Sequence, residues 1–218
     1  MQNIIQKIEE IIKDTFRSET SGHDLYHLRR VYKLALKIAD KEGGDKLIIG
    51  VSAFLHDLHR IIQKESGKMC SPKDSLPRVK EILDKLELSD KQKEHILYCI
   101  EMHEDYSFSS EHQNTSDLET LIVQDADRID AIGAIGVARL FSYAATHNLP
   151  MYLPEVKMDE NAYDANVHDP DAIQHIYKKL LKLKDAMNTE TAKQLAESRH
   201  AFLENFVKEF LAEWNSEK

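Results

Sequence analysis

An all-α fold, organised as a single domain over residues 1–218, is the architecture this sequence predicts. Three observations predict it. Glycine and proline are scarce, seven and five in 218 residues, which spares helix interiors their two strongest breakers. Apolar residues recur at spacings of three and four along most of the chain, the period of a helix with one buried face. Short polar or glycine-bearing stretches punctuate these runs, and no strand-type alternation, internal repeat or low-complexity tract interrupts them.

The elements follow in order. Ile4, Ile5, Ile8, Ile11, Ile12 and Phe16 place an amphipathic helix over residues 2–16. A second helix is expected from Leu25 to Lys41, with Leu28, Val31, Leu34, Ala35 and Ile38 inward and Gly43-Gly44 as its stop. Asp45 opens a third through Leu47, Ile48, Val51, Phe54 and Leu55, ending near His56-Asp57. Residues 63–71 read as a loop, and Lys64, Lys68 and Lys73 are expected near that pair. Pro72–Leu88 reads as helical with Pro77 as a new start. Ser89-x-x-Gln92 and Ser116-x-x-Glu119 are capping-box patterns that introduce two more helices. A helix over Asp130–Thr146 carries the small-sided run Ala131, Gly133, Ala134, Gly136 and Ala138. Each interior glycine costs about 1 kcal/mol against alanine, so close approach of a neighbouring helix is the expected compensation. A long loop over 149–170 precedes two last helices, Asp171–Ala186 and Thr189–Glu213, the latter with Leu195, Phe202, Phe206 and Phe210 as its seam. The loop marks where a C-terminal extension, about 149–218, begins.

Composition narrows the function classes. Hydrophobic content of 42% beside 31% charged residues fits a soluble globular protein with a core. A net charge of −9 argues against a protein that grips nucleic acid, which needs a basic surface; a small phosphorylated ligand needs only local cations or a metal. Cys70 and Cys99 form no CxxC pair, and the N-terminal stretch carries acidic residues without a long apolar run. The expectation is a cytoplasmic protein with neither signal peptide nor membrane span. Oligomeric state is left open, a homo-oligomer included.

Chemistry concentrates in three constellations. The first is Gly22-His23-Asp24-Leu25-Tyr26-His27, running into Arg30-Val31; the second is His56-Asp57, closing an apolar run; the third is Gln124-Asp125-Ala126-Asp127-Arg128-Ile129-Asp130. Imidazole and carboxylate are both ligands for divalent ions. On a continuous helix, neighbours such as His56 and Asp57 point about 100° apart, so both reach one ion only if it sits at the helix surface between them. Asp127 and Asp130, three apart, share a helical face. Taken singly, each is as well explained as a helix cap or a surface histidine. Three in order, each beside an apolar helical run, point to a site.

In this order the motifs resemble those of the HD-domain metal-dependent phosphohydrolases: a His before x-x-Arg-Val (His27), the pair His56-Asp57, and an Asp in an Ala-Asp-Arg context (Asp127). The core motifs span residues 23–130, and the resemblance implies an HD-domain helical bundle with additional C-terminal helices. The longer strings Gly22-His23-Asp24 and Asp125 through Gly136 resemble a bacterial branch thought to hydrolyse nucleoside triphosphates with release of pyrophosphate. The resemblance implies that His27, His56, Asp57 and Asp127 bind one divalent ion. Mn²⁺ or Mg²⁺ suits the oxygen-rich chemistry, and the histidines would also accept Zn²⁺, Co²⁺, Ni²⁺ or Fe²⁺.

One departure matters. In the related alarmone hydrolases His-Asp is followed by x-x-Glu-Asp, acids assigned to water activation; Arg60-Ile61 stand there in this chain, which argues against alarmone hydrolysis by that route. Arg60 either meets a substrate phosphate or points to solvent. Besides Asp57, His23 and Asp130 are the candidates for assisting water or supporting the ligands, against the plainer readings of helix-entry histidine and cap. Arg128, His103 and Lys184 are further substrate-binding candidates. His95 and His103 lie about 12 Å apart along a helix axis, too far to share an ion. His59, His112, His147, His168 and His175 read as surface residues, and Arg199 as half of a structural ion pair. The expected reaction is (d)NTP to (d)NMP and pyrophosphate. The rivals are a phosphodiesterase or phosphomonoesterase of another nucleotide, and a non-catalytic nucleotide sensor that keeps the metal site.

Overall fold

A computed structural model of the chain describes residues 1–104, 108, 115–157, 163–164 and 167–218. His112 lies outside them. Helices α1 (Gln2–Phe16), α2 (Leu25–Glu42) and α3 (Lys46–Leu55) match their sequence expectations to within a residue or two. The reasons are local: Asp24 accepts the amide of His27 at the start of α2, Asp45 accepts those of Leu47 and Ile48 at the start of α3, and Gly43 ends α2 at φ 93°. From Ile48 to Leu55 every residue of α3 is buried, so this helix is apolar all round and runs through the middle of the fold.

Around that axis the chain builds α4 (Leu58–Ser66), α5 (Pro72–Leu83), α6 (Asp90–Met102), α7 (Leu118–Asp130), α8 (Gly133–Thr146), α9 (Ala172–Lys178), a 3₁₀ turn (Leu180–Lys182) and α10 (Glu190–Trp214). Among the described residues there is no strand. Two apolar clusters result. One joins α1, α3, α4, α5 and α6 through Ile8, Phe16, Phe54, Leu58 and Ile100. The other joins α2, α7, α8, α9 and α10 through Val31, Ile122, Leu140, Ile173 and Leu203. The C-terminal helices therefore share a core with the motif-bearing ones. α2 and α3 pack on each other between the clusters, and the motif residues emerge at this seam.

Several expectations need correction. Residues 63–66 belong to α4, which sequence reading missed, and Gly67 ends it in the left-handed region at φ 67°. Pro77 sits inside α5, and the helix stops at Leu83 rather than Leu88. Asp117, not Ser116, caps α7, through the amide of Thr120. The last but one helix breaks at Lys179, whose φ of −124° leaves helical geometry. In α10 the buried seam is Ala192, Ala196, Leu203 and Val207, while Phe202 is 44% exposed.

The small-sided run has a more specific cause than helix–helix packing. α7 and α8 meet at a bend of 76°, and at this corner a Cβ on Gly136 would stand 2.2 Å from the carbonyl oxygen of Ala131. Gly133 takes φ 78° and faces the side chain of Arg199, which donates to the Ile129 carbonyl at 2.6 Å. Gly136→Ala is accordingly expected to destabilise the fold by about 3 kcal/mol or more, at or beyond the upper end of ordinary overpacking, read as a lowered denaturation midpoint; an unchanged midpoint would refute the close approach. No single helix among the described residues is long and apolar enough to cross a membrane. α7 and α8 together pass by length and composition, yet α7 buries Asp125, Arg128 and Asp130.

Candidate metal centre and its cleft

The His-Asp pair does not share a helix. α3 ends at Leu55 and α4 starts at Leu58; Asp57 adopts φ −93°, ψ 13°, the bridge region typical of such junctions. This break, rather than the surface of an unbroken helix, turns both side chains toward one point. α2 supplies His27 on its first turn, and α7 supplies Asp127 near its end.

Four donor atoms converge there. His27 Nε2 lies 3.1 Å from Asp57 Oδ2, 3.2 Å from His56 Nε2 and 3.5 Å from Asp127 Oδ1. His56 Nε2 lies 3.6 Å from Asp57 Oδ2 and 3.7 Å from Asp127 Oδ1. Donors bonded at about 2.1 Å to one ion stand about 3.0 Å apart at right angles and about 3.4 Å apart at a tetrahedral angle. The two shortest separations, 3.1 and 3.2 Å, fall in that range, and the other three, 3.5–3.7 Å, lie just beyond it. Proton accounting sharpens the fit. His56 Nδ1 faces the Ala53 carbonyl at 2.9 Å, and a carbonyl only accepts. His27 Nδ1 faces the Asp130 carboxylate at 2.8 Å. With both Nδ1 atoms donating, two neutral imidazoles aim Nε2 lone pairs at each other beside two carboxylates. Such a set calls for a cation. Its negative charge overcomes burial to raise His56 to about 9, and despite burial Asp57 and Asp127 stay well below the ordinary carboxylate range, held by neighbouring histidines. These His/Asp groups can hold a divalent ion.

Around them lies a supporting layer. Asp130 is 1% exposed; besides His27 it takes Arg30 through two hydrogen bonds, at 2.8 and 3.0 Å, and Arg139 at 3.2 Å. It sits behind His27 and does not line the cleft. His23 does line the cleft. Its Nδ1 lies 2.6 Å from Asp57 Oδ2, and burial, only partly offset by Asp57, lowers its pKa to about 4. Arg60 lines the cleft too, paired with Glu104. His103 is buried with Nδ1 on the Ile100 carbonyl and its ring 5.0 Å from that of His56. It lies outside the lining, and among the described residues its Nε2 has no hydrogen-bond partner.

Two expected substrate contacts lie elsewhere. Arg128 is 5% exposed and donates to the Ala186 carbonyl at 2.6 Å, tying α7 to the approach to α10. Lys184 faces Glu197 at 3.7 Å, and neither residue lines the cleft. Lys64, Lys68 and Lys73 are likewise absent from its wall. Conversely, Arg139, Tyr143, Tyr163, His175 and Lys179 line it without having been singled out for it. Arg139 holds the Gly22 carbonyl at 2.8 Å and approaches His23; its signal in the sequence is that it is the one charged side chain of α8. His59, read as a surface residue, is fully buried and approaches Glu104 at 3.6 Å.

Comparison with known proteins shows the family. Residues 24–132 match the family model described as HD domain. YpgQ of Bacillus subtilis, an uncharacterized protein, is 34% identical over 94% of this chain and 90% of its own length. Its structure in complex with ADP superposes with a TM-score of 0.67, at 29% identity over 94% of this chain and 95% of that one. A Lactobacillus plantarum structure superposes with a TM-score of 0.83, at 32% identity and 99% coverage of both chains. An HD-superfamily hydrolase from Bacillus thuringiensis gives 0.72, at 36% identity and 98% coverage of both. The chain belongs to the HD-domain family and is a metal-dependent phosphohydrolase of that superfamily.

Proposed function

We propose that this protein hydrolyses a nucleoside or deoxynucleoside triphosphate to the monophosphate and pyrophosphate. The observation that carries the reading is the meeting of four metal-type donors at a cleft that also presents Arg60, Arg139 and Lys179 beside Tyr143 and Tyr163. Cations suit a polyphosphate and ring faces suit a base. The ADP complex of YpgQ supports a nucleotide as the ligand class.

In this reading His27, His56, Asp57 and Asp127 hold Mn²⁺ or Mg²⁺. When bound, such an ion polarises a phosphoryl oxygen and makes water more acidic. The chain's own residues do the rest. Asp130 fixes the Nδ1–H tautomer of His27, leaving Nε2 free to coordinate. His23, held through Nδ1 by Asp57 at 2.6 Å, keeps Nε2 for a proton from the attacking water. Arg139 carries positive charge to the same wall, where charge builds on phosphoryl oxygens during transfer. Nothing in this arrangement needs the missing Glu-Asp pair.

The test is a nucleotide panel incubated with Mn²⁺- or Mg²⁺-loaded protein. Pyrophosphate and the matching monophosphate are expected in equal amounts. Orthophosphate release, or hydrolysis of cyclic nucleotides alone, would replace this reading with a phosphomonoesterase or phosphodiesterase. Tight binding without turnover would make the protein a sensor.

A further inference from the structure

Apart from the cleft, α6 and the start of α7 bring together a second set of donors of different character. His95 and Cys99, four apart, share a face of α6. Opposite them stand Asp117, which caps α7, and Glu119 in its first turn. His95 Nε2 lies 2.8 Å from Asp117 Oδ1 and 3.9 Å from Glu119 Oε2, and Cys99 Sγ lies 3.7 Å from Asp117 Oδ2. The donor atoms of His95, Cys99 and Asp117 all lie within 4.8 Å of one another. We propose that His95, Cys99, Asp117 and Glu119 form a structural Zn²⁺ site that fastens α6 to α7.

Three features favour an ion over a mere capping network. The carboxylates are aimed: Asp117 Oδ2 is held by the amide and hydroxyl of Thr120 at 2.9 and 2.7 Å, which leaves Oδ1 toward His95. Glu119 Oε1 is held by the amide of Asp45 at 2.8 Å, which leaves Oε2 toward the same imidazole. Oriented ligands of this kind are what outer hydrogen bonds provide at metal sites. The donor types match too: thiolate, imidazole and carboxylate in fourfold array suit Zn²⁺, whereas the sulfur-free centre in the cleft also suits harder ions. Finally, Cys99 is buried while the other three are half-buried, so the ion would enter from one side and close against the core. Its position gives it a purpose. α6 leads into His103 and Glu104, and α7 carries Asp127, so an ion here pins both ends of the segment between them.

Cobalt titration separates the two centres, because only a thiolate ligand gives an intense sulfur-to-cobalt band in the near ultraviolet. Wild-type protein is expected to develop that band with one equivalent of Co²⁺ at this site. His56→Ala, which disables the cleft centre, should keep it, as should Cys70→Ala; Cys99→Ala should lose it. Zn²⁺ should raise the melting temperature of His56→Ala but not of His56→Ala/Cys99→Ala. If Cys99→Ala does not fold, His95→Gln at the half-buried rim should shift the band and weaken Co²⁺ binding by about tenfold or more. No band in wild type, a band that survives Cys99→Ala, or one left unmoved by His95→Gln would each overturn the proposal, whatever the nucleotide panel shows.

Discussion

Asp127→Ala and His56→Ala are each expected to remove the bound metal and the hydrolytic activity together, with activity falling by about 10³-fold or more. The size follows from what the ion contributes to phosphoryl transfer, several kcal/mol of charge stabilisation. It also follows from the tightness of the set. His56 Nε2 and Asp127 Oδ1 stand 3.7 Å apart and each faces His27 Nε2, at 3.2 and 3.5 Å, so deleting either takes one donor out of the group His27, His56 and Asp127. Elemental analysis of the purified variants and pyrophosphate release measured in parallel provide the check, with circular dichroism to establish folding. Lys184→Ala is the matched control. Its ammonium faces Glu197, away from the cleft, so metal content and rate should match wild type. A folded Asp127→Ala that keeps both metal and rate would put the reaction elsewhere in the molecule.

The candidate ligands stand out in the sequence because each lies near the start or end of an apolar helical run, where a polar residue contrasts with its neighbours. His27 follows a capping Asp24 by three residues, and His56-Asp57 closes the most thoroughly buried helix in the fold. What the sequence hid depends on contacts between distant segments. Asp130 could be singled out as a candidate for supporting the ligands, but not its pairing with Arg30, one hundred residues away. Arg139 could have been suspected as a lone cation in α8, but its partners Gly22 and His23 are revealed only when α8 lies against the entry to α2. α4 escaped notice because the same His-Asp break that forms the centre interrupts the helical period, leaving a nine-residue helix too short to declare itself. Arg128 stands next to Asp127 in sequence, but nearness in sequence carries no information about which side of a helix faces the cleft, and neither its side chain nor that of Lys184 lines it.

Asp130 also yields the second large effect, on stability and metal affinity at once. Its carboxylate is 1% exposed and answers three partners: His27, Arg30 and Arg139. Burial alone would raise its pKa; the hydrogen bonds from His27 and Arg30 and the charge of Arg139 oppose burial and bring it from an ordinary 3.8 to about 2. Removing one member of such a buried group strands the others, so Asp130→Ala is expected to cost roughly 3–5 kcal/mol in denaturant unfolding. Asp130→Asn keeps the shape and loses the charge, and should cost less. Since the amide can also accept from His27 Nδ1 but more weakly, metal affinity should fall about 10–100-fold in that variant. The pH dependence has a definite sign. A carboxyl whose folded pKa is depressed adds stability that is complete above its unfolded value and is lost as pH falls through the folded one. Asp130 therefore contributes about 2 kcal/mol above pH 4, fading between about 4 and about 2. Subtracting the stability–pH curve of Asp130→Asn from that of wild type isolates this contribution from the other acids that titrate there. A flat difference across that window, with unaltered metal affinity, would mean that the two arginines are neutralised by some other group and that His27 holds its tautomer unaided.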